Sequence, residues 1–413
     1  MTYWAQLLHF YQPPTQTHDI LTRVANESYR PLLAVLKEQP LAKLAVNMNG
    51  VLTEMLLDHG LGDVVDSLRE VAERGQIEFV GSGKFHPILP LIPHAMAERA
   101  IQENAASNGT AFGECWRPRG FFPPELCFGP GTAEQVASAG QQWVILSGVG
   151  CPTAWPIDEV PRIEAGATTI AALFRDDSRS NRISFRETRP AEFIDDLSRV
   201  GDGAPAYVLT AMDAETYGHH IRGWEREFLA ATYELIGSQT VDLRPAHSRV
   251  EVVMPSALVD LFPAGSTVSP LASSWSTSRE DISGENPYPL WKSPGNAVHE
   301  LQWQYVDHAL GLVDVAQRGA SNESARKFAQ IADEKMQPAL HSCQFWWASR
   351  RPMWDVPMVH RGLLLLSEVI LFASKSIGEG RCPASVKQEA AWRLAAANET
   401  RGALERELLG TAP

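Results

Sequence analysis

The chain has 413 residues, 44% of them hydrophobic and 21% charged, and a formal net charge of −13. That length exceeds one minimal domain and suits a large barrel with an appended region. An acidic surface repels phosphate backbones, so we expect no nucleic acid among the partners of this chain. A neutral sugar polymer is indifferent to the charge.

The cysteines and the apolar segments indicate the cellular compartment. The cysteines are odd in number, scattered in spacing and form no CxxC pair: Cys115, Cys127, Cys151, Cys343 and Cys382. Such a pattern predicts neither a disulfide framework nor a zinc knuckle. The N-terminus has no basic leader and no small-residue cleavage site, and no apolar segment is expected to approach the length of a membrane span. We therefore expect a cytoplasmic protein without a membrane partner.

The first half of the chain alternates between strand-like and helix-like segments. The apolar runs that read as strands are 3–10, 43–48, 76–81, 119–122, 143–147, 169–174 and 206–212. Helical periodicity lies between several of them, at 63–74, 94–108 and 131–139. This repeated alternation predicts an α/β fold with a parallel barrel or sheet and its helices outside.

The second half has a different character. Residues 254–296 are rich in Pro, Ser, Gly and Trp, and we expect a long irregular loop there. Four helices are expected after it, at about 297–318, 323–347, 359–377 and 384–409, by their periodicity.

Polar side chains collect where predicted strands end, which is where parallel α/β folds place their sites. His9 and Tyr11 alternate along the first strand and so point the same way, with Gln12 next to them. Glu78 lies inside an apolar strand, and a buried carboxylate needs a partner or costs several kcal/mol. His86 follows that strand. Glu78 could instead belong to a buried ion pair that only supports the fold.

The strongest candidates for catalytic carboxylates lie in two further segments. Pro123 and Pro124 place Glu125 rigidly just past a strand, among apolar and aromatic neighbours. Asp213 and Glu215 open a dense polar cluster, Asp-Ala-Glu-Thr-Tyr-Gly-His-His, at the end of another strand. Paired carboxylates of this kind suit general acid–base and nucleophilic chemistry.

Taken in order, these segments resemble glycoside hydrolase family 57, the family of α-amylases, 4-α-glucanotransferases and branching enzymes. The opening is similar to the family's His-x-His-Gln-Pro stretch, and residues 75–91 to its Gly-x-x-Glu…His-Pro-Ile-Leu-Pro-Leu stretch. Pro-Pro-Glu resembles the nucleophile segment, Asp-Ala-Glu the acid/base segment, and residues 343–347 the fifth region. The one departure is Tyr11, where the family usually has a second His.

The resemblance implies a fold and a domain organisation. We expect an incomplete (β/α)7 barrel over 1–255, a loop-rich segment over 256–296 that contributes to the cleft, and a C-terminal helical region over 297–413 packed on the barrel. It also implies retaining cleavage or transfer of α-glucosidic bonds in α-glucans or maltooligosaccharides, through a covalent glycosyl-enzyme and without a metal or other cofactor.

The resemblance assigns Glu125 as the nucleophile and Asp213 as the acid/base, at the retaining separation of about 5–5.5 Å. Burial and a nearby carboxylate such as Glu215 would raise the pKa of Asp213 enough to keep it protonated. Flat indole faces suit sugar rings. The expected contacts with an oligo- or polysaccharide substrate are His9, Tyr11, Gln12, Glu78, His86, Glu215, Trp275 and Trp347.

Two other functions stay open at this point. A metal-dependent hydrolase or deacetylase on a related barrel could use His9, His86 and Asp213 as ligands, although Tyr11 replaces the His that such a site would want. A non-catalytic glycan-binding protein could have kept the barrel. Chelation and turnover measurements separate the three hypotheses.

Overall fold

The computed structural model describes residues 1–239 and 249–410. They form two compact units, Met1–Trp275 and Ser276–Pro413. The division falls inside the segment 256–296 that the sequence predicts to be loop-rich.

The first unit is built on strands, and every one of the seven predicted strands is present. The described residues of this unit form ten strands in all: β1 (Thr2–Phe10), β2 (Leu44–Met48), β3 (Ile77–Val80), β4 (Gly120–Phe121), β5 (Trp143–Ser147), β6 (Val160–Ala165), β7 (Thr168–Arg175), β8 (Ala206–Asp213), β9 (Val250–Val253) and β10 (Ala264–Thr267). The sequence did not indicate β6, β9 and β10.

The seven predicted strands are parallel and follow one another around an incomplete barrel. One sheet has the order β3-β2-β1-β8, with β9 also pairing β1, and the other has the order β10-β6-β7-β5-β4. A parallel bridge between Gly81 and Phe121 joins β3 to β4. On the other side of the barrel, the end of β7 is connected to β8, because the backbone N–H of Asp176 donates to the carbonyl of Leu209 at 2.7 Å. The predicted α/β class and incomplete (β/α)7 barrel are confirmed.

Alternation along the strands divides the apolar side chains between two cores. Leu7, Ala45 and Ala211 belong to the cluster inside the barrel, whereas Leu8 and Val46 pack outward against the helices. Side chains two residues apart in a strand share a face. The residues two positions after Leu7, Ala45 and Ala211 therefore also point into the barrel, and they lie at the carboxyl ends of the strands.

The helices of the first unit surround these strands. They are α1 (His18–Val24), α2 (Arg30–Glu38), α3 (Gly50–Asp58), α4 (Gly62–Glu73), α5 (His94–Phe112), α6 (Thr132–Ser138), α7 (Asp177–Ser184), α8 (Pro190–Ser198), α9 (Ala231–Gln239) and α10 (Pro255–Leu261). Between α1 and α2 the chain forms a π-helical turn, Ala25–Tyr29. Because α10 and β10 lie within it, the segment 254–296 is not the uninterrupted irregular loop that its composition predicts.

The second unit is helical, as predicted. Its helices are α11 (Arg279–Ser283), α12 (Ala297–Gly319), α13 (Glu323–Ala339), α14 (Cys343–Trp346), α15 (Val356–Glu379) and α16 (Ala384–Gly410). The prediction of one continuous helix over 323–347 is wrong. Pro338, which has no backbone N–H to donate, lies in the last turn of α13, and the chain leaves the helix after Ala339 before α14 begins.

The expectation that no apolar segment approaches the length of a membrane span is corrected by α15. Among the described residues this helix is long and apolar enough to cross a membrane, with a mean hydropathy of 1.6 in its most apolar stretch. A core helix of a soluble protein meets the same two criteria. Leu363, Leu366 and Val369 of α15 are fully buried, and the helix packs against α12 and α13.

Candidate active site

The register of the central strands brings polar side chains to one level at their carboxyl ends. His9 of β1 pairs with Asn47 of β2 on one side and with Asp213 of β8 on the other. The Nδ1 atom of His9 lies 2.5 Å from Oδ1 of Asn47. Burial lowers the pKa of His9, and the negative charge of Asp213 opposes that effect. The imidazole is therefore held in a fixed orientation beside Asp213.

A stack of aromatic rings covers this end of the barrel interior. The ring of His9 stacks on those of His86 and Phe122, with centroid distances of 4.7 and 4.8 Å. Tyr11 stacks on His86 at 4.1 Å, and the Trp275 indole meets His9 edge-on at 5.8 Å. The stack excludes water from one wall of the site.

Glu125 faces this stack from the turn after β4. It lies in a 3₁₀ turn, Pro124–Leu126, and has φ of 60°. The Trp275 indole N–H donates to Oε2 of Glu125 at 3.0 Å, and Nδ1 of His86 lies 3.5 Å from Oε1. His86 also has a positive φ, of 59°. Left-handed backbone at residues other than glycine is strained and gathers at functional sites, and here two such residues face each other.

Asp213 ends β8 and lies beside His9 in the strand register. Desolvation by the surrounding protein raises the pKa of Asp213, and the charges of His9 and Arg175 oppose that rise. Arg175 is 4% exposed. Its guanidinium donates to the carbonyl of Ala211 at 2.8 Å and to Asp177 at 2.7 Å, which holds it in place.

Glu215 follows in the 3₁₀ turn after β8 and is 5% exposed. Its Oε1 atom accepts from Nε2 of Gln12 at 3.0 Å and from the hydroxyl of Tyr29. Burial, followed by the charge of Asp213, raises the pKa of Glu215 to about 8. The half-buried Asp213 and the buried Glu215 are thus two neighbouring carboxyl groups whose protonation states depend on each other.

The structure brings most of the predicted site residues together in the first unit. Those in the cluster are His9, Tyr11, Gln12, His86, Glu125, Asp213, Glu215 and Trp275. Trp347 belongs to the second unit, where its ring packs against Trp346 at 4.6 Å. The roles of all these residues in binding and catalysis stay predictions.

Glu78 is not brought into the cluster. It pairs with Ala45 in the register of β2 and β3, two residues before the level of Asn47. Its carboxylate accepts from the backbone N–H of Ser256 at 2.8 Å, at the start of α10. Burial raises the pKa of Glu78. This carboxylate satisfies a helix N-terminus deeper inside the barrel. The partner is a backbone N–H group, not the charged side chain of the ion pair that the structural alternative predicted.

The sequence did not single out Asn47 and Tyr29. Asn47 carried the same signal as the residues that were found, because it is a polar side chain at the end of an apolar strand. Tyr29 had no such signal, since it lies in the π-helical turn far from any strand end.

Within residues 1–239 and 249–410, no three His, Cys, Asp or Glu side chains are arranged to hold a metal ion. His9 and His86, the ligands proposed for the metal-dependent alternative, stack face to face with an interplanar angle of 22°. Stacked imidazoles do not direct their nitrogen lone pairs at one point, so this donor set does not fit a tetrahedral site.

Comparison with known proteins gives a family match and several relatives. Residues 5–269 match the model of glycosyl hydrolase family 57. An α-amylase from Pyrococcus horikoshii is 29% identical over 238 residues, which cover 54% of this chain and 36% of the relative. A 4-α-glucanotransferase from Thermococcus litoralis is 25% identical over 274 residues, covering 62% of this chain and 39% of the relative. The chain therefore spans less than half the length of these curated relatives.

A solved structure extends the likeness of fold to nearly the whole chain. A branching enzyme of the same family from Thermococcus kodakaraensis superimposes with a TM-score of 0.71 at 13% identity, over 95% of this chain and 94% of that one. At that identity the match concerns the fold.

Proposed function

This chain belongs to glycosyl hydrolase family 57, and on that basis we propose that it is a glycoside hydrolase or transglycosylase. The proposed substrates are α-glucans or maltooligosaccharides, cleaved at α-glucosidic bonds with retention of configuration. Sequence similarity to an α-amylase and a 4-α-glucanotransferase supports the substrate class and leaves water and a sugar hydroxyl as alternative acceptors.

One observation carries the proposal: two carboxyl groups approach the same pair of stacked imidazoles. Glu125 lies beside His86 at 3.5 Å, and Asp213 neighbours His9 in the strand register. The His9 and His86 rings are 4.7 Å apart. Such an arrangement suits two carboxyl groups acting on one sugar, and we expect them at the retaining separation of about 5–5.5 Å.

In the first step, a carboxylate oxygen of Glu125 attacks the anomeric carbon while the glycosidic C–O bond breaks. Asp213 donates its proton to the departing oxygen, for which its raised pKa suits it. The indole N–H of Trp275 holds Oε2 of Glu125 at 3.0 Å. It thereby orients the nucleophile before the substrate binds.

In the second step, water or a sugar hydroxyl attacks the same carbon and the Glu125 ester bond breaks. The Asp213 carboxylate accepts the proton of the attacking O–H group, which returns the enzyme to its starting state. Hydrolysis and transfer differ only in the acceptor. A product profile on a panel of defined α-glucans distinguishes the two.

The surrounding side chains complete the proposal. We assign His9, Tyr11, His86 and Trp275 to the sugar bound beside the scissile bond, because their rings wall the same space as the carboxylates. Tyr11 retains a hydroxyl that can hydrogen-bond a sugar. The chemistry needs no cofactor. The five cysteines are all free thiols, which supports our proposal of a reducing, cytoplasmic location.

The decisive experiment compares Glu125→Gln with Asp213→Asn. Glu125→Gln should abolish turnover and preserve the fold, since the change is nearly isosteric. Asp213→Asn should still form the glycosyl-enzyme from an activated aryl maltooligosaccharide, because that leaving group needs little protonation. Its breakdown should slow, and azide should restore it.

Loss of general acid assistance is typically worth about 10²–10⁴-fold, so the contrast between poor and good leaving groups should be large. An equal loss on both substrate classes, without azide rescue, would remove Asp213 from the acid/base role. Activity that disappears on chelation would instead favour the metal-dependent alternative.

A further inference from the structure

Asn47 is a buried polar residue at the end of β2, and among the described residues its side chain forms one hydrogen bond. It is 0% exposed, and its Oδ1 atom lies 2.5 Å from Nδ1 of His9, its partner in the register of β1 and β2. Within residues 1–239 and 249–410 its Nδ2 atom has no hydrogen-bond partner. Burying an amide with an unpaired N–H group costs free energy that an apolar residue would avoid. The contact with His9 is therefore what this side chain contributes.

The rings around His9 fix its plane but not the direction of its two nitrogens. His9 lies nearly parallel to His86 and Phe122, with interplanar angles of 22° and 15°. A half-turn of the imidazole about its Cβ–Cγ bond would keep this stacking and exchange the two edges of the ring. The contact between Nδ1 and Asn47 distinguishes the two orientations. Asn47 therefore determines the direction in which Nε2 of His9 points.

The same contact determines which nitrogen of His9 carries the proton. Burial lowers the pKa of His9, so its imidazole is neutral at neutral pH and has one N–H donor and one acceptor nitrogen. A carboxamide oxygen accepts hydrogen bonds and cannot donate them, so Oδ1 of Asn47 requires the proton on Nδ1. Nε2 is then the acceptor. In the part of the chain that the structure describes, Nε2 of His9 forms no hydrogen bond.

An acceptor nitrogen at this position suits a sugar in the transition state. The ring of His9 lies in one cluster with Asp213, Tyr11 and His86, which are the titratable groups around it. Positive charge develops on the sugar ring as a glycosidic bond breaks. That charge makes the sugar hydroxyl groups stronger hydrogen-bond donors. An acceptor therefore gains more in the transition state than in the bound substrate, and such a gain accelerates the reaction.

We propose that Asn47 is a positioning residue that keeps the proton of His9 on Nδ1, so that Nε2 presents its lone pair to a hydroxyl of the sugar at the cleavage site. This inference rests on the proposed function, which assigns His9 to that sugar. Asn47 acts through His9 and does not need to touch the substrate.

The position of the proton is measured directly by ¹⁵N NMR on enzyme labelled at its histidine nitrogens. The His9 signals are assigned by their loss in His9→Gln. In the wild-type enzyme at neutral pH, Nδ1 of His9 should show the shift of a protonated nitrogen and Nε2 that of an unprotonated one. A proton on Nε2 would contradict the inference before any variant is made.

Asn47→Leu removes the acceptor at similar size. The proton of His9 should move to Nε2, which is the form that a free histidine side chain prefers. The kcat on maltooligosaccharides should fall about tenfold, as for one hydrogen bond that forms fully only in the transition state. The KM should stay within about twofold of wild type, because binding in the ground state depends less on this bond. If Asn47→Leu does not fold, Asn47→Ala removes the same acceptor and should give the same changes.

Asn104→Leu is the matched control. Asn104 of α5 is also 0% exposed, its Oδ1 accepts one hydrogen bond, from the backbone N–H of Gly50 at 2.7 Å, and its Nδ2 has no partner within residues 1–239 and 249–410. Its loss should lower the melting temperature about as much as Asn47→Leu does. The His9 signals and kcat should stay as in wild type.

A merely structural role for Asn47 predicts that Asn47→Leu and Asn104→Leu behave alike, with the proton of His9 unmoved in both, and that result overturns the inference. The proposed function is tested separately by Asp213→Asn. If Asp213→Asn shows the contrast between leaving groups and Asn47→Leu leaves the proton of His9 in place, only the assignment of Asn47 fails. If Asp213→Asn lacks the contrast but Asn47→Leu moves the proton and lowers kcat, the acid/base assignment fails and the positioning role of Asn47 stands.

Discussion

At the residue scale, the site depends on carboxyl groups whose surroundings differ. Glu125 accepts a hydrogen bond from the indole N–H of Trp275 at 3.0 Å, and its other oxygen lies 3.5 Å from Nδ1 of His86. Asp213 and Glu215 share a buried loop, and desolvation raises the pKa of each. When the surroundings of neighbouring carboxyl groups differ, one group can be ionised while the other is protonated. One site can therefore hold a nucleophile and an acid together.

The raised pKa of Glu215 predicts how stability changes with pH. In the unfolded chain an ordinary Glu releases its proton near pH 4.5, whereas in the folded protein the pKa of Glu215 is about 8. Between these values the folded state binds more protons than the unfolded state, so stability falls as pH rises. A shift of this size corresponds to several kcal/mol in total.

Replacing Glu215 with Gln should remove this part of the pH dependence. We expect the urea-unfolding free energy of the variant to fall less than that of wild type between pH 5 and 8. Glu300→Gln, at an exposed position on α12, serves as the control and should parallel wild type. Parallel curves for Glu215→Gln and wild type would contradict a raised pKa at Glu215.

At the scale of elements, the loop after β8 is shaped by one glycine. Gly218 has φ of 106°, and a Cβ atom there would overlap the carbonyl oxygen of Glu27 in the π-helical turn. A side chain at position 218 would therefore strain the backbone and also overlap the main chain of Glu27. The close approach lets Ser28 and Tyr29 reach the loop.

Gly218→Ala should lower stability and activity together. The backbone conformation alone costs about 1–3 kcal/mol for a residue other than glycine, and the overlap with Glu27 adds to it. Gly203→Ala is the control, because Gly203 has φ of 92° with no heavy atom within 4 Å of its would-be Cβ. The difference between the urea-unfolding free energies of the two variants isolates the contribution of the overlap with Glu27. Equal destabilisation would mean that the loop and the turn are not tightly held.

The elements also indicate how far the sequence could predict the fold. The seven barrel strands were predictable because they are buried on both faces and read as continuous apolar runs. In contrast, β9 has an exposed Glu251, and β10 (Ala264–Thr267) is largely exposed. Neither carries that apolar signal. Both lie outside the ring of seven strands, so missing them did not alter the predicted barrel.

The site was predictable to the extent that strand ends define it. His9, Glu125 and Asp213 were found because parallel strands deliver their carboxyl ends to one edge. Glu78 shows what this reasoning lacks, since a strand pattern gives the face of a side chain but not its depth. Register with β2 places Glu78 one inward-facing position deeper than Asn47. Tyr29 reaches Glu215 through the π turn, which helical periodicity does not predict.

At the scale of the whole molecule, the chain covers 36% of the α-amylase relative and 94% of the branching enzyme structure. The family model ends at residue 269, so the second unit lies beyond it. The substrate contact that the sequence predicts in this second unit is Trp347.

Two features of Trp347 bear on that prediction. Its side chain is half-buried beside Trp346, and its indole N–H is buried without a hydrogen-bond partner within residues 1–239 and 249–410. An indole N–H usually finds a partner when it is buried, and a sugar hydroxyl would provide one. Core packing is the alternative explanation.

Trp347→Ala distinguishes the two explanations. If Trp347 binds substrate, the KM for maltooligosaccharides should rise about tenfold, which corresponds to about 1.4 kcal/mol, and the melting temperature should change little. If it only fills the core, its loss should cost about 3–5 kcal/mol of stability, as for other large buried aromatic residues, with KM unchanged. Trp392→Ala, at a side chain of α16 that is 62% exposed, should change neither quantity. A falling melting temperature with constant KM would remove Trp347 from the site, because a ring that binds sugar must affect binding when it is lost.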